Sequence, residues 1–141
     1  MKTERLKMLI TAKTYPTFSK RHNETVCTAG ITADGIFRRL YPICYRSLPK
    51  QERFKKYQWI SCEATRDFRD PRKESYRLIS NIIPSDIITT KQQWVHRRAA
   101  ILSNVQFNLQ KIISMAYDSN EWKSLFTFKP ARIIKFNVID L

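Results

Sequence analysis

At 141 residues the chain is the size of one ordinary domain, and 43% hydrophobic content with only 2 Gly and 6 Pro excludes a disordered tail. Its 26 Lys and Arg against 12 Asp and Glu leave a formal charge of +14, the field of a polyanion binder, with nucleic acid the first candidate. Gly30 and Gly35 are too few for a P-loop or a dinucleotide fingerprint, so no nucleotide cofactor is expected.

The first segment, Met1–Arg5, precedes an apolar run too short for a secretory signal, and no stretch reaches the roughly 18 apolar residues of a membrane span. Cytoplasm is the expected location. Leu6–Tyr15 reads as a buried strand stopped by Pro16. Past the polar loop Ser19–Asn23, Thr25–Thr32 and Ile36–Tyr45 form a hairpin about Asp34-Gly35, two residues that tolerate the positive φ of tight primed turns. Pro42 cannot donate to a ladder, so the return strand should lie at an edge or bend there.

Pro and an acid early in Ser47–Glu52 predict a short helix to Tyr57. Gln58–Arg66 alternates as a strand with Ile60, Cys62 and Ala64 on one face; the loop Asp67–Ser75 then leads to a strand over Tyr76–Ile83. Thr90-Lys91-Gln92-Gln93 has the form of a capping box, in which hydroxyl and amide satisfy free backbone donors. Beyond it Trp94, Val95, Ala99, Ile101, Leu102 and Val105 recur at helical spacing, as do Leu109, Ile112, Ile113 and Ala116; a break at Ser103-Asn104 would make two helices of them. A last helical turn is expected at Asn120–Trp122. After Pro130, residues 131–141 alternate as a strand expected to return to the first sheet.

The whole is one α+β domain: a β-rich basic part over 1–89, a helical layer over 90–124 and the returning strand. Its sheet is small and strongly bent, or a partly open barrel, of about five or six strands with two or three helices packed on it. The layout is similar to that of small PUA-like and OB-like barrels that bind nucleic acid, a likeness of layout alone.

Three cysteines, Cys27, Cys44 and Cys62, are separated by 16 and 17 intervening residues, which suits neither a zinc knuckle nor a redox dithiol; they are expected as packed thiols, with no metal bound. Basic residues instead concentrate in the first half. Between Arg38 and Arg77 there are 12 basic and 5 acidic side chains with aromatics among them, the mixture that holds phosphates and stacks on bases. The expected contact residues are Lys20, Arg21, Arg38, Arg39, Tyr41, Arg46, Lys55, Lys56, Arg72, Lys73 and Arg77, joined by Arg97 and Arg98 on the helix.

These residues support a non-catalytic protein that binds DNA or RNA, as a small subunit of a larger complex or homo-oligomer. A nuclease or toxin would draw on the carboxylates Glu63, Asp67, Asp70 and Glu74, or on Asp118 and Glu121, as metal ligands, with Lys123 to steady the developing charge. A basic module that binds an acidic protein is the third reading.

Overall fold

The computed structural model describes residues 3–19, 23–120 and 122–139. Its strands are β1 (Thr3–Lys13), β2 (Thr17–Ser19), β3 (Asn23–Thr32), β4 (Phe37–Ile43), β5 (Gln58–Arg66), β6 (Ser75–Leu78) and β7 (Ile83–Ile87), then β8 (Val105–Gln106) and β9 (Thr127–Phe128). Helices α1 (Lys91–Ile101) and α2 (Leu109–Tyr117) flank β8, and single 3-10 turns cover Tyr45–Ser47, Lys50–Glu52 and Leu102–Asn104.

Five strands close a mixed barrel in the order β1-β3-β4-β6-β5, because β5 pairs back onto β1 from Leu9↔Trp59 to Thr3↔Thr65. Every pairing round the ring is antiparallel except β4–β6, which is parallel through Arg39↔Ser75 and Leu40↔Tyr76. Closure removes the free edges that an open sheet of this size would expose. The α+β class and small-barrel architecture read from the pattern are those of the structure.

Alternation along the strands sends Leu6, Met8 and Ile10, Leu40, and Ile60, Cys62 and Ala64 inward, where each is buried. Phe54 and Ile82 complete that core from outside the strands, and Tyr76 joins it from β6. At Gly30 the backbones of β1 and β3 approach so closely that a Cβ would lie 2.7 Å from the Leu9 carbonyl oxygen, so only glycine fits. The hairpin forms where Asp34-Gly35 stands, but Gly35 alone takes positive φ (78°); the Thr32 hydroxyl closes the longer loop by donating to the Ile36 carbonyl.

Several expectations give way to the closed ring. β4 is no edge strand, since β3 and β6 occupy its two sides; Pro42 falls beyond the last β6 pair, and the β3 register slips across it between Leu40 and Ile43. The Tyr41–Pro42 peptide is cis. Pro84 lies within β7 rather than after a strand, which β7 tolerates because only β5 pairs with it. No helix spans Ser47–Tyr57: Leu48 and Pro49 are extended, and the segment instead delivers Glu52 and Phe54 to the interior. There Glu52 accepts from the Ile82 amide at 3.2 Å. Burial of those two side chains overrides the local helical preference.

The helical layer divides where Ser103-Asn104 stands, but its apolar stripe is not core. Neither α1 nor α2 has a buried residue, and Trp94 is 60% exposed. Gln92, Gln93 and Trp94 take left-handed angles, so the Thr90 hydroxyl makes no capping bond and the capping box is not formed. Trp122 is likewise in no helix. Residues 132–139 form no strand, and Ile134 and Phe136 are 84% and 83% exposed. The expected return to the first sheet has no place to go, because both sides of β1 are taken by β3 and β5.

Candidate nucleic-acid interface

β4 and β6 place the expected cations in relation to one another. Arg39 and Tyr41 alternate with the inward Leu40, so they face outward, and Arg77, which follows the inward Tyr76 paired with Leu40, alternates to the outer side of β6. Arg39 is half-buried and donates through Nη2 to the Ser124 hydroxyl at 2.8 Å; its Nε has no acceptor among the described residues. Arg77 lies with its Nε 3.9 Å from the Asp67 carboxylate. Arg38, on the opposite side of the strand, donates to the Phe37 carbonyl and lies over the Tyr76 ring, 5.1 Å from its centroid.

Arg72 belongs to the same region but is committed: its Nη2 and Nε reach Asp70 at 2.6 and 2.8 Å, and Ser75 donates to the same carboxylate at 2.8 Å. The Arg72 bonds, reinforced by Ser75, hold the Asp70 carboxyl well below the usual carboxylate range. Since that folded-state value is lower than the unfolded one, the network stabilises the protein at neutral pH, and the contribution is lost as pH falls from the ordinary carboxylate range towards the folded value. Asp70→Asn should therefore lower stability at pH 7 by about 1–3 kcal/mol, with a gap that narrows in acid. Urea unfolding of both proteins from pH 7 down to pH 3 measures this, and a gap that stays constant would contradict it.

Beside this face lies a cavity of about 280 Å³, walled by Arg38 from β4, Lys73 and Glu74 from the loop before β6, Lys111 and Met115 from α2, and Lys123, Leu125, Phe126 and Thr127 from the C-terminal part. Glu74 is 4% exposed. One carboxylate oxygen accepts from the Ser124 amide at 2.8 Å and hydroxyl at 2.7 Å, while Oε2 receives no hydrogen bond from the described residues. Sequence reasoning counted Glu74 only as a metal-ligand candidate and Lys123 only as the charge-steadying lysine of a nuclease site, and passed over Lys111 and Ser124. The link between Glu74 and Ser124 spans 50 residues, and no local pattern carries it.

A second cationic group surrounds Tyr57. Arg97 stacks on that ring at 3.9 Å and donates to the Ile88 carbonyl at 2.9 Å, so it clamps α1 to the barrel. Arg98 joins Tyr57, Trp94, Arg97, Ile101 and Leu102 round a shallow cleft, while Lys55 and Lys56 are exposed just before Tyr57. Leu102 lines this cleft and Asn104 lines the cavity by β4, so the 3-10 turn that holds both links the two groups. Arg46 stands apart, paired with Glu24 at 3.2 Å. Lys20 and Arg21 lie outside the described residues.

Among the described residues no group of three or more His, Cys, Asp or Glu is placed to hold an ion, and the candidate ligand Glu121 lies outside those residues. Burial pushes the Cys62 thiol up to about 11, which leaves it a poor nucleophile near neutrality. No helix of the described residues is long and apolar enough to cross a membrane. Comparison with curated proteins and with solved structures finds no match. A family model does match residues 4–103, which hold the whole barrel and α1; the chain belongs to the family described as Domain of unknown function (DUF8758).

Proposed function

We propose that this is a non-catalytic nucleic-acid-binding protein of the cytoplasm, which holds DNA or RNA against the outer face of β4 and β6 and the adjoining cavity mouth. The observation that carries the reading is convergence. Arg38, Lys73, Lys111 and Lys123, from β4, the loop before β6, α2 and the C-terminal part, line one cavity, and Arg39, Tyr41 and Arg77 lie on the outward side of the adjoining strands. Folding has concentrated part of the +14 charge there, which favours a ligand of repeated phosphates over scattered solvation.

Labelled DNA and RNA titrated with the protein, with and without magnesium or manganese, test this. Intact ligand of reduced mobility supports the proposal, whereas ligand shortened with time favours a nuclease or toxin. A complex with an acidic polypeptide and no affinity for either nucleic acid would favour the protein-interaction reading.

Residues 133–139 support a place in a larger assembly, because Ile133, Ile134, Phe136, Val138 and Ile139 are each at least 75% exposed. The occupant this favours is a second copy of the chain, pairing strand to strand, since alternation of Ile134, Phe136 and Val138 with Lys135 and Asn137 suits β-pairing. The expected light-scattering mass of nuclease-treated protein is twice 16.8 kDa, falling to the monomer with Ile134→Ser and Phe136→Ser together. A wild-type monomer would refute it.

A further inference from the structure

We infer that the cleft between Tyr57 and Trp94 takes one unstacked base, so that the ligand class is single-stranded nucleic acid rather than a duplex. This deepens, and rests on, the nucleic-acid reading above.

Both aromatic residues of the cleft hold backbone angles that side chains of their size avoid. Tyr57 has φ 59°, and Trp94, the last of three consecutive left-handed residues, has φ 61°. Tyr57 is fixed from two sides: its amide donates to the Ile10 carbonyl at 2.7 Å, and its carbonyl accepts from the Ile88 amide at 2.7 Å. Trp94 is left-handed without being buried by it, for 60% of the residue stays exposed at the rim of the cleft. A strained backbone that holds a large ring open to solvent has no explanation in packing, and such outliers mark residues placed for a ligand.

The lining specifies the occupant. Ile101 and Leu102 stand with the two rings, and the space of about 220 Å³ is smaller than the roughly 300–1,000 Å³ of drug-sized sites. It admits one ring system. None of the residues that line it is acidic. Arg97 is already engaged by Tyr57 and Ile88, but Arg98 in the cleft and Lys55 and Lys56 just before Tyr57 are exposed, and their side-chain charges have no partner among the described residues. Positive charge therefore comes from the barrel segment before Tyr57 as well as from α1. A flat ring with negative charge to either side is what a base in a strand presents, with one phosphate before it and one after. Inorganic phosphate would use the cations alone and leave the rings uncovered. In a duplex each base is paired and stacked on both faces, so a ring reaches the cleft only from a single strand or an opened position.

Fluorescence anisotropy of the full chain with three labelled ligands tests this: a single-stranded 12-mer, the same sequence as a duplex, and an abasic strand of equal length that carries phosphates without bases. Two variants accompany the wild type. Trp94→Gly removes the ring, and glycine takes the left-handed angles without strain, so the variant should melt no lower than the wild type. Trp94→Phe keeps a ring to stack on. The expected result is that Trp94→Gly binds the single strand about tenfold more weakly yet binds the abasic strand and the duplex as the wild type does, while Trp94→Phe retains most of the affinity. Ultraviolet cross-linking of a bromouracil-bearing strand to the wild type needs no variant; it should mark Trp94 or Tyr57 when the strand is single and neither when it is paired.

A single strand bound equally by the wild type and Trp94→Gly, or cross-links that miss both rings, overturns the cleft site and leaves strand binding intact. A loss on the abasic strand as large as that on the 12-mer means that Trp94 does not act by stacking, and overturns it too. If the wild type binds no nucleic acid, the cleft site and the strand-binding reading fail together; an acidic peptide with an aromatic side chain that then binds the wild type and not Trp94→Gly would give the cleft to a protein partner. Should Trp94→Gly fail to melt cooperatively, the cross-link decides alone.

Discussion

Phe54→Ala is expected to lower the free energy of unfolding by about 3–5 kcal/mol, a third or more of the stability of a typical small domain. Phe54 is fully buried although it belongs to no strand or helix. Its ring meets Tyr45 edge-on, with centroids 5.2 Å apart and planes at 80°, and the Tyr45 hydroxyl donates to the Phe54 carbonyl at 2.6 Å. Above them the Lys13 ammonium lies 3.5 Å from the Tyr45 centroid, an aromatic-cation stack that ties the plug to β1. Removing the ring therefore opens a cavity that strands on a closed ring cannot collapse to fill. Urea unfolding followed by tryptophan fluorescence gives the value, with an unchanged dependence on urea expected. A loss below about 1 kcal/mol would mean that the plug is not part of the core.

Phe54 also marks the boundary of what local pattern reveals. Strands with strict alternation were legible: β5 runs over the residues predicted for it, and Ile60, Cys62 and Ala64 point inward as their period demands. The Asp-Gly hairpin was legible because one glycine at positive φ suffices to turn the chain. What failed depends on partners distant in sequence. Leu48–Phe54 has helical punctuation, yet Glu52 is claimed by the Ile82 amide 30 residues away. The stripe from Trp94 to Val105 has the period of a core helix, but the barrel has already filled its own interior from β1, β4, β5 and the plug. The same applies to residues 131–139, whose strand pattern is sound and whose expected docking edge is occupied.

The candidate interface divides in the same way. Composition located the cationic excess, and the register of β4 and β6 brings Arg39, Tyr41 and Arg77 to one outer face. Whether a given arginine is available was not legible. Arg72 is locked to Asp70, Arg97 to Tyr57 and Ile88, and Arg46 to Glu24, each by interactions that sequence spacing does not encode. Charge reversal at Arg72, attractive from sequence alone as a test of binding, would thus strike stability first.

Binding to single-stranded nucleic acid is expected to weaken steeply with salt, and neutralisation of the β4–β6 group should flatten that dependence. For every phosphate no longer neutralised by the protein, the slope of log K against log salt shrinks by about 0.7 on a single strand and about 0.9 on a duplex. The substitutions Arg39→Gln, Lys73→Gln and Lys111→Gln remove three positive charges from three chain segments that meet at the cavity and the face beside it. All three side chains lie outside the core cluster, so the fold should persist. The triple variant should then show a slope smaller by about 2 on a single strand, with affinity reduced at least tenfold in low salt and less at high salt. Lys55→Gln with Lys56→Gln provides the internal comparison, because both lie by Tyr57, on the far side of the Leu102–Asn104 turn from the cavity. If that pair flattens the slope as much per charge as the triple does, the footprint extends across both cationic groups. If the triple leaves slope and affinity unchanged, the face of β4 and β6 is not where phosphates are held, whatever the net charge of the chain.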